Sequence, residues 1–246
     1  MLAPEGGGKP GQECEGVTGL FRPTALVSNT PPRAVPVTSV VTSTGLILAS
    51  PQAWPLWARV SLGLVPWIPA LAFSVTWNYR RYHWLALFYI LLVTQTGHFL
   101  EHVTQMIQLH LLGLPDADAR GIFGALDLEW VHFAWNIWVL LAATVLLWHF
   151  RDNAWLMIAT LFAGWHGIEH GYILKVYLDT GVVGTPGLLS RGGLIGGGLP
   201  VPRPDLHFMY NLIETVPLAF AFFWQTRHIN SARRARGARA PERRLA

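Results

Sequence analysis

The segments GHFLEHVTQM (residues 97–106) and GWHGIEHGYI (residues 164–173) each carry His-x-x-Glu-His inside an otherwise apolar stretch. On a helix, positions i, i+3 and i+4 are neighbours. His98, Glu101 and His102 therefore form one cluster, and His166, Glu169 and His170 form a second. A carboxylate at the centre of a membrane helix costs ~2.5–3.5 kcal/mol on insertion scales, and less toward the interface. Two such carboxylates beside four histidines call for a compensating charge, and a divalent metal supplies one.

A second pair of motifs follows the first. EWVHFAWN and DLHFMYN both contain His-Phe-x-x-Asn, as His132/Asn136 and His207/Asn211. The chain order is thus a His-x-x-Glu-His helix, a loop, a His-Phe-x-x-Asn helix, and the same sequence of parts again. The spacing is 68 residues from His98 to His166 and 75 from His132 to His207. A weaker echo links RGIFG (120–124) with RGGLIGGG (191–198) in the intervening loops. This pattern predicts a duplicated helical hairpin, with repeat 1 at about 84–150 and repeat 2 at about 154–226. Both copies start on the same side, so a pseudo-two-fold axis along the membrane normal should relate them.

Composition sets the surroundings. The chain has 246 residues, of which 52% are hydrophobic and 13% charged, with 12 Trp and a mean hydropathy of +0.34. A soluble domain carries nearly twice that charge fraction. The expectation is an all-α integral membrane protein with five transmembrane helices, the last four forming a four-helix bundle. The spans are Trp57–Trp77, Trp84 to about Leu112, about Leu128–Phe150, Ala154–Tyr177 and about Leu206–Gln225. Each is long enough for ~30 Å of hydrocarbon at ~1.5 Å per residue. Trp54, Trp84, Trp130, Trp155 and Trp224 lie near the ends, as interfacial aromatics do.

Charge gives the orientation. The loops NYRRYH and HFRDN and the tail 227–246 put ten basic residues on one side, seven of them in the tail. The loops 113–127 and 178–205 carry only Arg120, Arg191 and Arg203. The N-terminus is expected outside and the C-terminus in the cytoplasm of the plasma membrane. The basic tail reads as an anchor on anionic lipid headgroups, with no nucleic acid as partner. Residues 1–53, rich in Gly, Pro, Ser and Thr, read as a disordered or loosely attached extracytoplasmic segment. A single cysteine, Cys14, excludes an internal disulfide framework. The glycine-rich stretch TPGLLSRGGLIGGGLPVPRP reads as a lid or a disordered loop.

Depth brings the motifs together. His98 lies ~21 Å along its helix from Trp84, and His166 ~18 Å from Ala154. His132 and His207 open the returning helices, so all four motifs converge near the extracytoplasmic face. Six imidazoles exceed the needs of a mononuclear zinc site. Divided in two, each half offers three His and at least one Glu, which fits a dinuclear centre in a helical bundle. A nitrogen-rich donor set favours Fe, Cu or Zn over Mg or Ca, with Fe or Cu ahead of Zn.

The expected ligands are His98, Glu101, His102, His132, His166, Glu169, His170 and His207. Asn136 and Asn211 would orient them, and Glu129 and Glu214 are further candidates. One His-x-x-Glu-His coincides with the inverted zinc-peptidase signature, but two in symmetric positions argue against a peptidase. The leading expectation is an oxidoreductase acting on a quinol, a lipid or oxygen. The alternatives are a b-type haem protein with bis-His ligation and a metal-uptake protein.

Overall fold

The computed structural model describes residues 82–122 and 128–239, with backbone alone beyond Ala232, and isolated positions before Tyr82. Apart from those isolated positions, the N-terminal segment 1–53 and the first expected span at 57–77 lie outside the described residues. So do loop residues 123–127 and tail residues 240–246. Two compact units partition the chain, residues 1–86 and 87–246. In the first, the Tyr79 ring stands edge-on to His83 and Trp84. All the chemistry described below belongs to the second.

Among the described residues there are four α-helices and no strand: α1 (Trp84–Met106), α2 (Glu129–His149), α3 (Ala154–Thr180) and α4 (Arg203–Arg239). Their ends follow local chemistry. The Asn153 side chain accepts the Leu156 N–H at 3.1 Å and caps α3, and Gly181 closes it at φ 72° with its N–H on the Tyr177 carbonyl. Leu128 is extended (φ −126°, ψ 140°) immediately before α2. A single π turn, Ile107–Leu111, ends α1. From it Gln108 reaches the loop and binds both backbone groups of Gly121, at 3.1 and 2.8 Å. Pro217 sits inside α4, which removes one ladder hydrogen bond there.

The helices pack around one interior. Phe88 of α1 meets Phe222 of α4 at 5.5 Å and Phe150, just past α2, at 6.1 Å. Phe99 stacks on Phe208 at 5.6 Å. On α3, Gly164, Gly167 and Gly171 share a face against Leu140 and Phe133 of α2, so the two backbones approach closely. Asn153 donates to the Ala221 carbonyl at 2.9 Å, joining α3 to α4. Leu91, Leu146, Leu156, Leu218 and Ala221 fill the half away from the histidine motifs.

Two helices are long and apolar enough to cross a membrane, Glu129–His149 and Arg203–Ala232. α1 and α3 fall short of that hydropathy because each carries a polar pentapeptide. The usual distribution of polarity is inverted. Gln95, His166, Glu169 and Asn211 have no exposed surface, whereas Trp148 (71%), Leu161 (67%) and Leu141 (60%) face outward.

Two expectations change in detail. α4 is longer than the expected span, and the tail continues it as helix to Arg239. The 178–205 loop, expected as a lid or a disordered stretch, folds back on itself: Arg191 N–H bonds to Val201, Leu199 N–H to Leu189, and Ser190 is fully buried. Arg203 fixes this loop. Its guanidinium donates to both Glu129 oxygens (2.8 and 2.5 Å) and to the Thr185 carbonyl (3.2 Å), while Gly184 N–H also reaches Glu129 (3.0 Å). The Glu129→Gln variant leaves Arg203 without a charge partner in a half-buried position. It should lower stability by about 1–3 kcal/mol, read as a lower thermal midpoint in detergent. Lys175→Ala breaks only an exposed pair and should leave the thermal midpoint at its wild-type value.

Candidate metal centre

Three turns of helix geometry place the donors. α1 projects His98 and His102 from one face, α2 projects His132, α3 projects His166 and His170, and α4 projects His207. They form two triads, His98/His102/His132 and His166/His170/His207. Within each triad, one ligand atom per residue lies within 4.8 Å of the others, close enough that a small inward shift of the rings would seat a metal ion. Ring centroids are 4.8–5.9 Å apart in the first triad and 4.8–5.5 Å in the second. The triads adjoin, because His132 and His170 stack at 5.6 Å with a 7° interplanar angle.

The two triads are built by matching contacts. His132 Nδ1 hydrogen-bonds to the Leu128 carbonyl at 3.1 Å, and His207 Nδ1 to the Arg203 carbonyl at 2.9 Å. A carbonyl accepts only, so in both rings Nδ1 carries the proton and Nε2 presents its lone pair. Asn136 Nδ2 donates to the His132 carbonyl and Asn211 Nδ2 to the His207 carbonyl, both at 2.9 Å. Three residues after each of these histidines an aromatic ring covers the site. Trp135 lies 5.2 Å from His98, and Tyr210 lies 5.2 Å from His166. The asparagines thus fix the helix backbone under the histidines and do not touch the donor nitrogens.

Five ring nitrogens in these clusters are buried without a hydrogen-bond partner: His98 Nε2, His102 Nδ1 and Nε2, His170 Nδ1 and His207 Nε2. An unsatisfied buried polar atom costs about 1–3 kcal/mol, and folded proteins hold few of them. Three of them belong to the first triad and two to the second, and both groups could hold a metal ion. His166 differs, for its Nδ1 meets Glu214 Oε1 at 2.9 Å and its Nε2 meets His170 Nε2 at 3.1 Å. Two imidazole nitrogens pointing at each other share one proton or one metal.

The glutamates fall into three settings. Glu129 belongs to the Arg203 clasp and lies outside both triads. Glu214 orients His166 through a carboxylate–imidazole contact. Glu101 and Glu169, the residues inside the pentapeptides, are not grouped with the imidazoles. Successive helix residues are rotated by ~100°, so Glu101 sits ~100° from His102, and Glu169 likewise from His170. Both carboxylates turn to glycine loops. Glu169 Oε1 accepts the Leu188 N–H at 2.9 Å, while its Oε2 is buried and unpartnered.

A Cβ on Gly187 would come within 2.2 Å of Glu169, and one on Gly121 within 2.4 Å of Glu101. Both glycines have positive φ, 78° and 74°. The matching loop stretches are therefore those around Gly121 and Gly187. The RGIFG/RGGLIGGG echo pairs Gly121 with Gly192 and is out of register with these contacts.

Two residues of this centre carry no motif in the sequence. Gln95, fully buried, donates to Asn211 (3.1 Å) and Glu214 (3.2 Å) and accepts from Trp135 Nε1 (3.3 Å). Arg203 supplies both the clasp and the carbonyl that fixes His207. A glutamine one turn before a histidine box, on the same helix face, is the one signal that pointed to the first. No family model, curated protein or solved structure matches the chain.

The tight approach at Gly187 gives a direct check. Gly187→Ala combines a left-handed backbone with a collision on the Glu169 carboxylate. It should cost more than about 1 kcal/mol and expose the loop to limited proteolysis. Gly164→Ala, at which the added methyl meets Leu140 at 3.8 Å, should leave both readouts near wild type.

Proposed function

We propose that the chain is an integral membrane metalloprotein. Its two triads hold two transition-metal ions, Fe or Cu, near the extracytoplasmic face. Its reaction is the oxidation or reduction of a lipid-soluble or extracytoplasmic substrate such as a quinol, a lipid or oxygen. The observation that carries this reading is the set of five buried, unpartnered imidazole nitrogens gathered at two adjoining triads. Redox-active ions supply electron transfer at such a centre. The chain's own residues hold the ions in place, fix the imidazole tautomers through the Leu128 and Arg203 carbonyls, and close the end of the helices with glycine loops.

Membrane placement rests on the apolar helices Glu129–His149 and Arg203–Ala232 and on the polar interior beneath an apolar exterior. The pairwise matching of contacts around His132 and His207 supports a duplicated hairpin as the origin of the two halves. The matching reaches the side-chain level, which the motif spacing alone did not require.

Neither alternative is favoured by the geometry. A bis-His haem needs a porphyrin plane between two imidazoles bound to one iron. Here the rings gather in threes with centroids 4.8–5.9 Å apart, a grouping that favours a single ion in each triad over a pair of rings facing across a macrocycle. A metal-uptake path needs polar residues continuing through the structure. Phe88, Leu91, Leu146, Leu156, Leu218 and Phe222 instead fill the half below the centre.

Elemental analysis of detergent-purified protein, taken with its visible spectrum, tests the proposal. The expected result is about two Fe or Cu per chain and no Soret band, with metal lost in the His102→Ala/His170→Ala double variant. A Soret band, zinc alone, or metal retained in that double variant would overturn it.

A further inference from the structure

The two triads are alike in their donors and unlike in what surrounds them. Glu214, seven residues after His207, holds His166 Nδ1, and its second oxygen takes a hydrogen bond from Gln95. The residue seven after His132 is Val139, buried and apolar. Gln95 lies three residues before His98, and the residue three before His166 is Ala163. Neither polar group therefore has a counterpart in the matching half, and together they act on the second triad. A carboxylate hydrogen-bonded to the far nitrogen of a metal-binding imidazole fixes its tautomer and raises its basicity. It also brings a full negative charge close to the bound cation.

The cover differs too. His166, His170 and His207 are all buried, at 0–4% exposure, and Gly187 and Glu169 above them are buried as well. In the first triad His102 and His132 are buried, but His98 is only half-buried, as are Glu101 and Gly121. His102 has no carboxylate partner of the kind Glu214 gives His166; only the neutral side chain of Gln105 stands at its ring.

Resting on the metal-centre reading, the geometry points to two unequal sites. The His166/His170/His207 triad, with Glu214 as positioning residue, is a closed site that retains its metal. The His98/His102/His132 triad is a looser site whose metal exchanges and carries the open coordination position. That open position takes a small anionic or diatomic ligand approaching past His98. An ion of higher charge is better tolerated beside Glu214, so in a redox pair the second site favours the more oxidised ion.

Cobalt(II) titration of the metal-stripped full-length protein in detergent, followed by its visible d–d bands, tests this, with azide as the probe of the open position. Wild type should take up two equivalents in two resolved phases, and azide should change only the bands of the weaker phase. Glu214→Gln should weaken the tight phase by about 10–100-fold and leave the weak phase unmoved, and Glu214→Asp should recover part of the loss. His102→Ala should abolish the weak phase and the azide response while keeping the tight one, and His170→Ala should do the reverse.

Circular dichroism and gel filtration identify any variant that fails to fold. If Glu214→Gln fails, Gln95→Leu, which removes the hydrogen bond to Glu214, serves in its place with the same direction expected. Two equivalents binding in one phase overturn the inequality and leave the metal centre standing. So do Glu214→Gln affecting both phases alike, or azide responding in His102→Ala. No cobalt bound by wild type overturns both.

Discussion

Six imidazoles meet in the interior of this chain, and five of their nitrogens find no hydrogen-bond partner there. That is a constraint on everything around them, because each such atom is destabilising unless something answers its lone pair or its proton. Moving the rings apart does not help, since the outward direction on these helices is apolar. Trp148, Leu141 and Leu161 occupy it. A cation at each triad would answer one lone pair from each of its three rings. The neighbouring contacts hold the six rings in place. Backbone carbonyls four residues earlier fix two of them, stacking of His132 on His170 fixes the seam, and Trp135 and Tyr210 close the sides.

The glycine loops answer a second constraint. A pentapeptide that puts two histidines inward has no room on the same face for its glutamate, which emerges ~100° from one histidine and ~60° from the other. Buried at a helix flank, such a carboxylate needs donors. Backbone N–H groups of a tight turn supply them at Glu169, and only a glycine at positive φ allows the turn to come so near. The loop sequence is thus tied to the glutamate as firmly as the helices are tied to the histidines. The Arg203–Glu129 clasp then anchors the far end of the same loop.

How much of this was legible depended on range. The donor histidines could be read because helix periodicity is local: i and i+4 share a face wherever the helix goes. Helix bounds came within a few residues where Asn153 and Leu128 mark the starts, and failed at the α4 end, where an arginine-rich segment continues as helix to Arg239. Glu101 and Glu169 were grouped with the imidazoles because i+3 and i+4 were treated as one direction. Gln95 and Arg203 carry no motif because their carboxylate and amide partners, Glu214 and Asn211 for the one and Glu129 for the other, lie 74 to 119 residues away on other helices, and no spacing rule reaches that far. Glu129 and Glu214 look alike in sequence, each beside a His-Phe-x-x-Asn motif. Tertiary placement makes one a clasp for a loop and the other a partner of His166.

Polarity along the helix axes completes the argument. The histidines and the Gln95–Asn211–Glu214 network occupy one end of the described interior. Asn153, Gln225 and Thr226 form a small buried polar group at the other. Between them Phe88, Leu146, Leu156, Leu218 and Phe222 interdigitate without a polar atom among their side chains. An ion leaving the triads in that direction would lose every ligand, which for a divalent charge in a low-dielectric interior is prohibitive. Among the described residues the centre is therefore closed in that direction. A metal at such an end would meet only what approaches from the other side, where His98 is the one half-buried member of the two triads.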